Sequence, residues 1–387
     1  MRAVAIAGIG QTSIDEHWEK SIRDLALQAL LGILEDSNRD SVDGIYVGNM
    51  LSGVLSGQEN LGALIADWAG IRHREAFKVE AACASGAAAF RVALMAVASG
   101  SIDSAIAIGV EKMTETKGVD TTAALATAAD ADYETAQGVS FVAINALIMK
   151  RYLHEFGWEH GDFAQFSVNS HANALSNPFA RLHEKISEKD YSRARMISTP
   201  INLLDASPIG DGAAGVLLVR ADQIRNPTRN WVKIAASAVS TDTLAVHDRH
   251  DILWLSAVEK SARLAYSQAG VTPAEIDLFE LHDAFTIMSA LSLEACGFAD
   301  RGQAPRLALD QQIVLGGRIP ITTMGGLKAR GHPVGATGLY QIVEVVQQLR
   351  GEAGVNQVDD AKIGMAQNIG GSGATVLTHI LSRSDSR

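Results

Sequence analysis

The chain has 387 residues, 47% of them hydrophobic and 20% charged, a composition that buries a large core and excludes intrinsic disorder. A formal net charge of −11 excludes a dedicated nucleic-acid binder, whose footprint is a basic face. Two cysteines, Cys83 and Cys296, are too few for a disulfide framework and lack C-x-x-C spacing; neither disulfide nor metal is expected, and a reducing, cytoplasmic setting is the default.

In chain order, the opening run Met1-Arg2-Ala3-Val4-Ala5-Ile6-Ala7-Gly8 is too short for a signal sequence and reads as a buried strand over residues 3–7, ending at Gly8-Ile9-Gly10. Apolar positions from Leu25 to Leu34 make one amphipathic helical stripe. Further short apolar runs at 44–47, 104–109 and 213–219 read as buried strands bounded by Gly or Asp. The stretch 121–134 is rich in Ala, Thr and Asp and reads as a surface loop. Arg181, Lys185, Lys189, Arg193 and Arg195 fit a solvated helical face better than a phosphate site. A second helical stripe runs through Ala257, Ala262, Leu264 and Ala265. No stretch is read as long enough to cross a membrane, and the terminal Ser384-Asp385-Ser386-Arg387 is not a peroxisomal address. Strand and helix alternate, so the fold class is α/β.

At this length one core would be unusually large, so two core-forming halves are expected. An internal repeat supports them. Ala84-Ser85-Gly86 opens an apolar helix running to Gly100, and Ala336-Thr337-Gly338 opens another running to Gly351. Upstream of each lies a helix and then a strand led by Asp, at Asp43-Gly44-Ile45-Tyr46-Val47 and at Asp277-Leu278-Phe279-Glu280-Leu281. One longer connection near 300–320 absorbs the difference in spacing. The repeat divides the chain into halves at 1–225 and 226–387, with a segment of about 112–205 inserted in the first.

Four segments carry candidate chemistry. Cys83, in Ala81-Ala82-Cys83-Ala84-Ser85-Gly86, stands at the N-terminus of the first repeated helix, where free N–H groups and the helix dipole stabilise a thiolate and can hold an oxyanion. A small buried thiol fits the segment equally well. Gly331-His332-Pro333-Val334-Gly335-Ala336-Thr337-Gly338 places a histidine before the matching helix. If the halves are related by a pseudo-two-fold, His332 faces Cys83 as its base; alone, it reads as a loop histidine held for packing. His282, in His282-Asp283-Ala284-Phe285, follows a strand end, where α/β folds gather ligands, although a capping or core histidine competes. Asn368-Ile369-Gly370-Gly371-Ser372-Gly373 reads as a glycine-rich turn after a strand at 362–366, able to bring main-chain N–H groups to a ligand.

Together and in this order, these segments resemble the thiolase family over essentially the whole chain. The branch indicated is the archaeal and bacterial one related to sterol-carrier-protein thiolases, which carries His-Asp-x-Phe where many thiolases have Asn-Glu-x-Phe. The resemblance implies a thiolase-like α/β fold layered α-β-α-β-α with an inserted loop domain. It implies an acyl-CoA C-acyltransferase joining two acetyl-CoA into acetoacetyl-CoA and CoA, and the reverse. Cys83 would accept the acyl group, His332 would activate it, and His282 would hold the thioester oxygen of the second substrate. The N–H groups of Cys83 and Gly370 would form the oxyanion hole, with Asn368 and Gly371 beside it. No cofactor is implied beyond coenzyme A thioesters as substrates. A homodimer or homotetramer is implied, with a small zinc-ribbon and OB-fold protein and hydroxymethylglutaryl-CoA synthase as further partners.

The sequence departs from the family at two places. Asn368 stands where most thiolases carry a second reactive cysteine, and Ala284 where sterol-carrier-protein thiolases supply one; Cys296 reads as structural. Either His332 or His282 must therefore serve as the second base, or the condensation is not what the protein does. A partner-dependent acyltransferase or retro-aldolase and a non-catalytic acyl-CoA or lipid carrier are the alternatives.

Overall fold

A computed structural model describes residues 2–224 and 231–384. The expected boundary between the halves, at 225 and 226, and the final residues 385–387 lie outside the described residues. The first half opens with β1 (Val4–Gln11) and α1 (Ile22–Ser37). Ser21 caps α1 in a capping box with Asp24, and Asn38 closes it in the left-handed conformation at φ 50°, so both helix ends have satisfied backbone groups. Ile22, Leu25, Ala26, Ala29, Leu30 and Ile33 are buried, the stripe that the 3.6-residue period requires. Next come β2 (Gly44–Gly48), α2 (Ser52–Leu55), α3 (Leu61–Trp68), β3 (Glu75–Val79), α4 (Ser85–Ser99) and β4 (Ser104–Glu111).

The inserted segment holds α5 (Gly118–Ala126), α6 (Phe141–Phe156), α7 (Ala164–Ala174), α8 (Glu188–Arg193) and the small hairpin β5 (Met196–Ser198) with β6 (Ile201–Asn202). The surface loop expected at 121–134 is corrected here. Its first part is helical: Thr121, Ala124 and Ala126 of α5 are buried, and Ala124 packs with Leu51, Met113 and Val334. Strand β7 (Gly212–Arg220) completes the first half.

The second half contains β8 (Val232–Thr241), α9 (Ser256–Ala269), β9 (Leu278–Glu280), α10 (Thr286–Ala295), α11 (Ala304–Leu309), a π-helical turn at Gly326–Arg330, α12 (Thr337–Arg350), β10 (Ile363–Gly370) and β11 (Thr375–Arg383). In α9 the buried face is Ala257, Val258, Ser261, Ala262, Ala265 and Tyr266. Leu264 is 51% exposed, so it does not belong to the stripe that the sequence suggested.

The strands form one mixed sheet in the order β3-β2-β4-β7-β1-β8-β11-β10-β9. The repeat is visible in its directions. In the first half β2 runs parallel to β4, β4 antiparallel to β7 and β7 antiparallel to β1. In the second, β9 runs parallel to β10, β10 antiparallel to β11 and β11 antiparallel to β8. A parallel bridge from Phe279 to Ile321 stands where the first half has β3. The halves meet at β1 and β8, through Ala5 with Lys233 and Ile6 with Val232.

Side-chain alternation sorts the sheet faces into layers. Ala105 and Ala107 of β4 pack with residues of α4 and α12, whereas Ile106, Ile108 and Val110 pack under α1 and α3. On the second half, Met365, Ile369, Val376 and Ile380 face α9 and α10, and Leu278, Ala366 and Leu381 join α4 and α12. The layers are therefore α-β-α-β-α, with α4 and α12 in the middle. One expectation is corrected here, that no stretch is long enough to cross a membrane. Ala82–Ser99 is, by length and mean hydropathy of 1.5 alone, apolar enough to cross a membrane; as the central helix it packs against β2, β4 and α12, which is reason enough for its composition.

Candidate active site

Cys83 lies between β3 and α4, two residues before the first helical residue. Ala82, just before it, adopts φ 51°, a left-handed conformation that costs a non-glycine residue roughly 1 kcal/mol or more. Ser85 holds this turn closed: its Oγ donates to the Ala82 carbonyl at 2.6 Å and accepts from the Ala81 N–H at 2.9 Å.

Two glycines let the starts of α4 and α12 approach each other. A Cβ on Gly86 would lie 2.8 Å from the Gly335 carbonyl oxygen, and one on Gly338 would lie 2.6 Å from the Ala87 nitrogen. No real Cβ tolerates such distances, so only glycine permits this crossing. The Gly335 turn is also pinned by Glu111 at the end of β4. Its carboxylate accepts from the N–H groups of Gly335 and Met50 at 3.0 Å each and of Leu51 at 3.1 Å, and from Asn49 Nδ2 at 2.8 Å. Burial raises the Glu111 carboxyl to about 7, against the pull of those donors. Glu111 was not singled out from the sequence; its signal is an acidic residue ending an otherwise apolar buried strand.

These constraints bring Cys83, His282 and His332 to the wall of one pocket of about 220 Å³. Leu125 and Phe141 of the inserted segment, Phe285, Met288 and Val334 give it an apolar lining. Larger grooves lie at the surface, one of about 620 Å³ beside α6, but none of these has a cysteine in its wall.

Both histidines can be assigned a tautomer from their partners. Thr337 Oγ1 donates to the Pro333 carbonyl at 3.1 Å and lies 2.7 Å from His332 Nδ1. In the arrangement that keeps the hydroxyl's one proton on that carbonyl, Oγ1 receives Nδ1–H from His332. The Nε2 of His332 is then a free lone pair. Burial, His282 and Arg330 hold His332 well below the usual imidazole range. Asn368 Nδ2 donates to His282 Nδ1 at 3.0 Å, which leaves His282 with its proton on Nε2. Burial, with Arg330 and Lys328, holds His282 down to about 3. The rings meet edge to face, 5.2 Å between centroids.

The thiol differs from expectation. Burial, with Glu111, pushes Cys83 up to about 12, although the N–H groups of Gly371 and Cys83 itself pull it down. Desolvation therefore outweighs the helix terminus, and the resting group is a thiol rather than a stabilised thiolate.

The terminal glycine segment is also corrected. β10 runs through Gly370 and pairs with β11 up to Thr375, so Asn368 lies within a strand and not in a turn. Its side chain sits behind His282. Gly371 lines the pocket, whereas Gly370 stands one position back, where a Cβ would lie 2.4 Å from the Ala81 carbonyl oxygen. The N–H reaching the sulfur from this segment is that of Gly371. Asp283 anchors the loop rather than facing the pocket, accepting from the Leu327 N–H at 2.7 Å. Cys296 is buried, with its Sγ 3.4 Å from Gln367 Nε2. Arg181 pairs with Glu16 at 2.6 Å, and Lys185, Lys189, Arg193 and Arg195 are exposed.

Comparison with known proteins gives a consistent result. Residues 4–222 match the family model described as "Thiolase, N-terminal domain" and residues 238–383 that described as "Thiolase C-terminal domain-like". The chain is 46% identical to an acetyl-CoA acetyltransferase of Methanothermobacter thermautotrophicus, over 99% of this chain and 100% of that protein. It is 32% identical to the benzoylsuccinyl-CoA thiolase subunit BbsB of Thauera aromatica, over 96% of this chain and 95% of the relative. Among solved structures, the Ltp2-ChsH2(DUF35) aldolase superposes with a TM-score of 0.86 at 25% identity, over 99% of this chain and 98% of that one.

Proposed function

The chain belongs to the thiolase family, and from that premise we propose that it is an acetyl-CoA C-acetyltransferase working through an acetyl-Cys83 intermediate. The observation that carries this reading is the convergence of Cys83, His282 and His332 on one apolar pocket. Cys83 attacks the thioester of a first acetyl-CoA and CoA leaves; the enolate of a second acetyl-CoA then attacks the acyl-enzyme, giving acetoacetyl-CoA. His332, with a free lone pair, takes the Cys83 proton. His282, with Nε2–H, donates to the oxygen of the second thioester as negative charge develops there. N–H groups of Cys83 and of the Gly370-Gly371 segment receive the oxygen of the acylating thioester. The small, apolar pocket suits a short acyl group.

Full-length identity of 46% to an acetyl-CoA acetyltransferase, against 25% to the aldolase, favours acetyl transfer over retro-aldol cleavage. The name of the aldolase, which includes a DUF35 component, favours a second chain beside the pocket. We take this to be the small zinc-ribbon and OB-fold protein, with hydroxymethylglutaryl-CoA synthase as a further partner. Unpaired Cys83 and Cys296 suit a reducing, cytoplasmic setting. The chain is further proposed to pair with a second copy through the exposed strand β3.

The test is thiolysis. Acetoacetyl-CoA and CoA should be converted to acetyl-CoA, with and without such a partner, and acetyl-CoA alone should leave an acetyl group on Cys83 detectable by intact mass. An unchanged rate in Cys83→Ala would remove the nucleophile from the mechanism.

A further inference from the structure

The condensation needs two proton acceptors in succession, one for the Cys83 thiol and one for the acetyl α-carbon. Among the residues lining the pocket, the titratable side chains are Cys83, His282 and His332. Cys83 is consumed as the acyl carrier, which leaves the two imidazoles. Their partners give them different roles. With the Thr337 hydroxyl proton on the Pro333 carbonyl, His332 Nδ1–H is held by Thr337 and Nε2 accepts a proton. His282 Nδ1 is occupied by the Asn368 amide, so its Nε2 already carries one.

The orientation of the Asn368 amide decides the second assignment. Asn368 is 1% exposed, and its Oδ1 has no hydrogen-bond partner. Turning the amide over would set Oδ1 against His282 Nδ1 and so require the proton on Nδ1, whereas the observed orientation sets Nδ2 there and requires the Nδ1 lone pair.

We infer that His332 is the single general base for both proton transfers, and that Asn368 acts as a positioning residue that keeps His282 a hydrogen-bond donor. This rests on the acetyltransferase reading above. In the first half-reaction the Cys83 proton moves to His332 Nε2, the sulfur–acyl bond forms, the C–S bond to CoA breaks, and the CoA sulfur takes the proton from Nε2. In the second, an α-proton of acetyl-CoA moves to the same Nε2 and the enolate carbon bonds to the acyl carbon. The Cys83–acyl bond then breaks, and the sulfur recovers the proton. The enzyme returns to its starting state with acetoacetyl-CoA and CoA released.

The two half-reactions can be measured apart. Cys83→Ala cannot be acylated, so deuterium wash-in from D₂O to the methyl group of acetyl-CoA reads α-proton removal alone. Cys83→Ala should exchange above the buffer rate, and adding His332→Gln should lower that exchange by about 10²-fold, the ordinary worth of a general base. Thr337→Val, which keeps the ring but removes the acceptor for Nδ1–H, should lower it as well; this variant covers a folding failure of the first, with circular dichroism as the check on both. Asn368→Asp gives the test of sign. A carboxylate only accepts, so it draws the His282 proton to Nδ1 and bares Nε2: exchange should fall if His282 is a donor and rise if it is the base. Exchange absent from Cys83→Ala, exchange that His332→Gln leaves within tenfold, or a rise in Asn368→Asp each overturns the inference. The readings fail separately, because absence of acetyl-Cys83 in the wild type removes the acetyltransferase reading. Normal acetylation with any of the three overturning results removes only the single base.

Discussion

Cys83 and His332 line one pocket as a neutral thiol and a neutral imidazole, so in the proposed mechanism attack on a thioester has to be coupled to proton transfer instead of drawing on a standing ion pair. That has a measurable consequence. With the thiol at about 12, the thiolate fraction rises about tenfold per pH unit across neutral and mildly alkaline pH. Alkylation of Cys83 by iodoacetamide, followed by peptide mass, should rise in parallel from about pH 7 to 10, whereas a preformed thiolate would give a flat profile there. His332 sets the opposite limb. Only its neutral form accepts a proton, and burial holds its pKa well below the ordinary imidazole range, so kcat/KM for thiolysis should hold on acidification through that range. Cys83, His282 and His332 are legible in the sequence because each stands in a recognisable string of small residues. Thr337 and Glu111 are not: Thr337 meets His332 and Pro333 only once the turn before α12 folds back on the helix start, and Glu111 meets Gly335 across a contact between distant segments. The expected thiolate failed for the same reason, since helix position is local and desolvation is set by the whole surrounding fold.

The packing of α4 against α12 controls the spacing of that pair. A methyl group on Gly338 would lie 2.6 Å from the Ala87 nitrogen and 2.7 Å from Asn368 Oδ1, so Gly338→Ala must separate the helices by several tenths of an ångström. We expect a stability cost of about 1–3 kcal/mol and a fall in kcat/KM of tenfold or more, since misplacement of reacting groups is costly. Thermal unfolding and thiolysis kinetics measure the two effects. Glu111 works between elements too, tying the Asn49-Met50-Leu51 segment to the Gly335 turn. Glu111→Ala strands three backbone N–H groups and should cost about 3 kcal/mol in urea unfolding, while Glu111→Gln, which keeps an acceptor oxygen, should cost less. Strands such as β4 and β7 are readable as apolar runs because both faces are covered. The helix α5 is not, since its alanines and threonines show no stripe until Leu51, Met113 and Val334 supply the surface they pack on. The extension of β10 through Asn368 is hidden likewise, because glycine and asparagine signal a turn unless a partner strand, here β11, continues the ladder.

At the scale of the molecule, the duplication is what makes a site between distant residues possible. Each half starts its central helix beside the start of the other's, and the repeat is readable from helix openings and Asp-led strands even though the sheet order is not. The same symmetry leaves the two sheet edges unequal. β9 is fully buried, covered by the chain around Ile321, while β3 at the opposite edge is largely open and carries Phe77 at 47% exposure. An open edge strand offers unpaired backbone groups to another chain and is normally blocked or paired. Two copies meeting β3 to β3 would pair both edges and cover Phe77 on each, an isologous contact of the kind that closes a dimer. Light scattering at micromolar concentration should therefore give twice the 41.0 kDa chain mass, or four times if dimers pair again. Phe77→Lys places a charge on each side of that contact and should shift the mass toward the monomer while far-ultraviolet circular dichroism stays native. A monomeric wild-type chain, or an unchanged mass in the variant, would remove β3 as the dimer edge without touching the pocket chemistry, which lies within one chain.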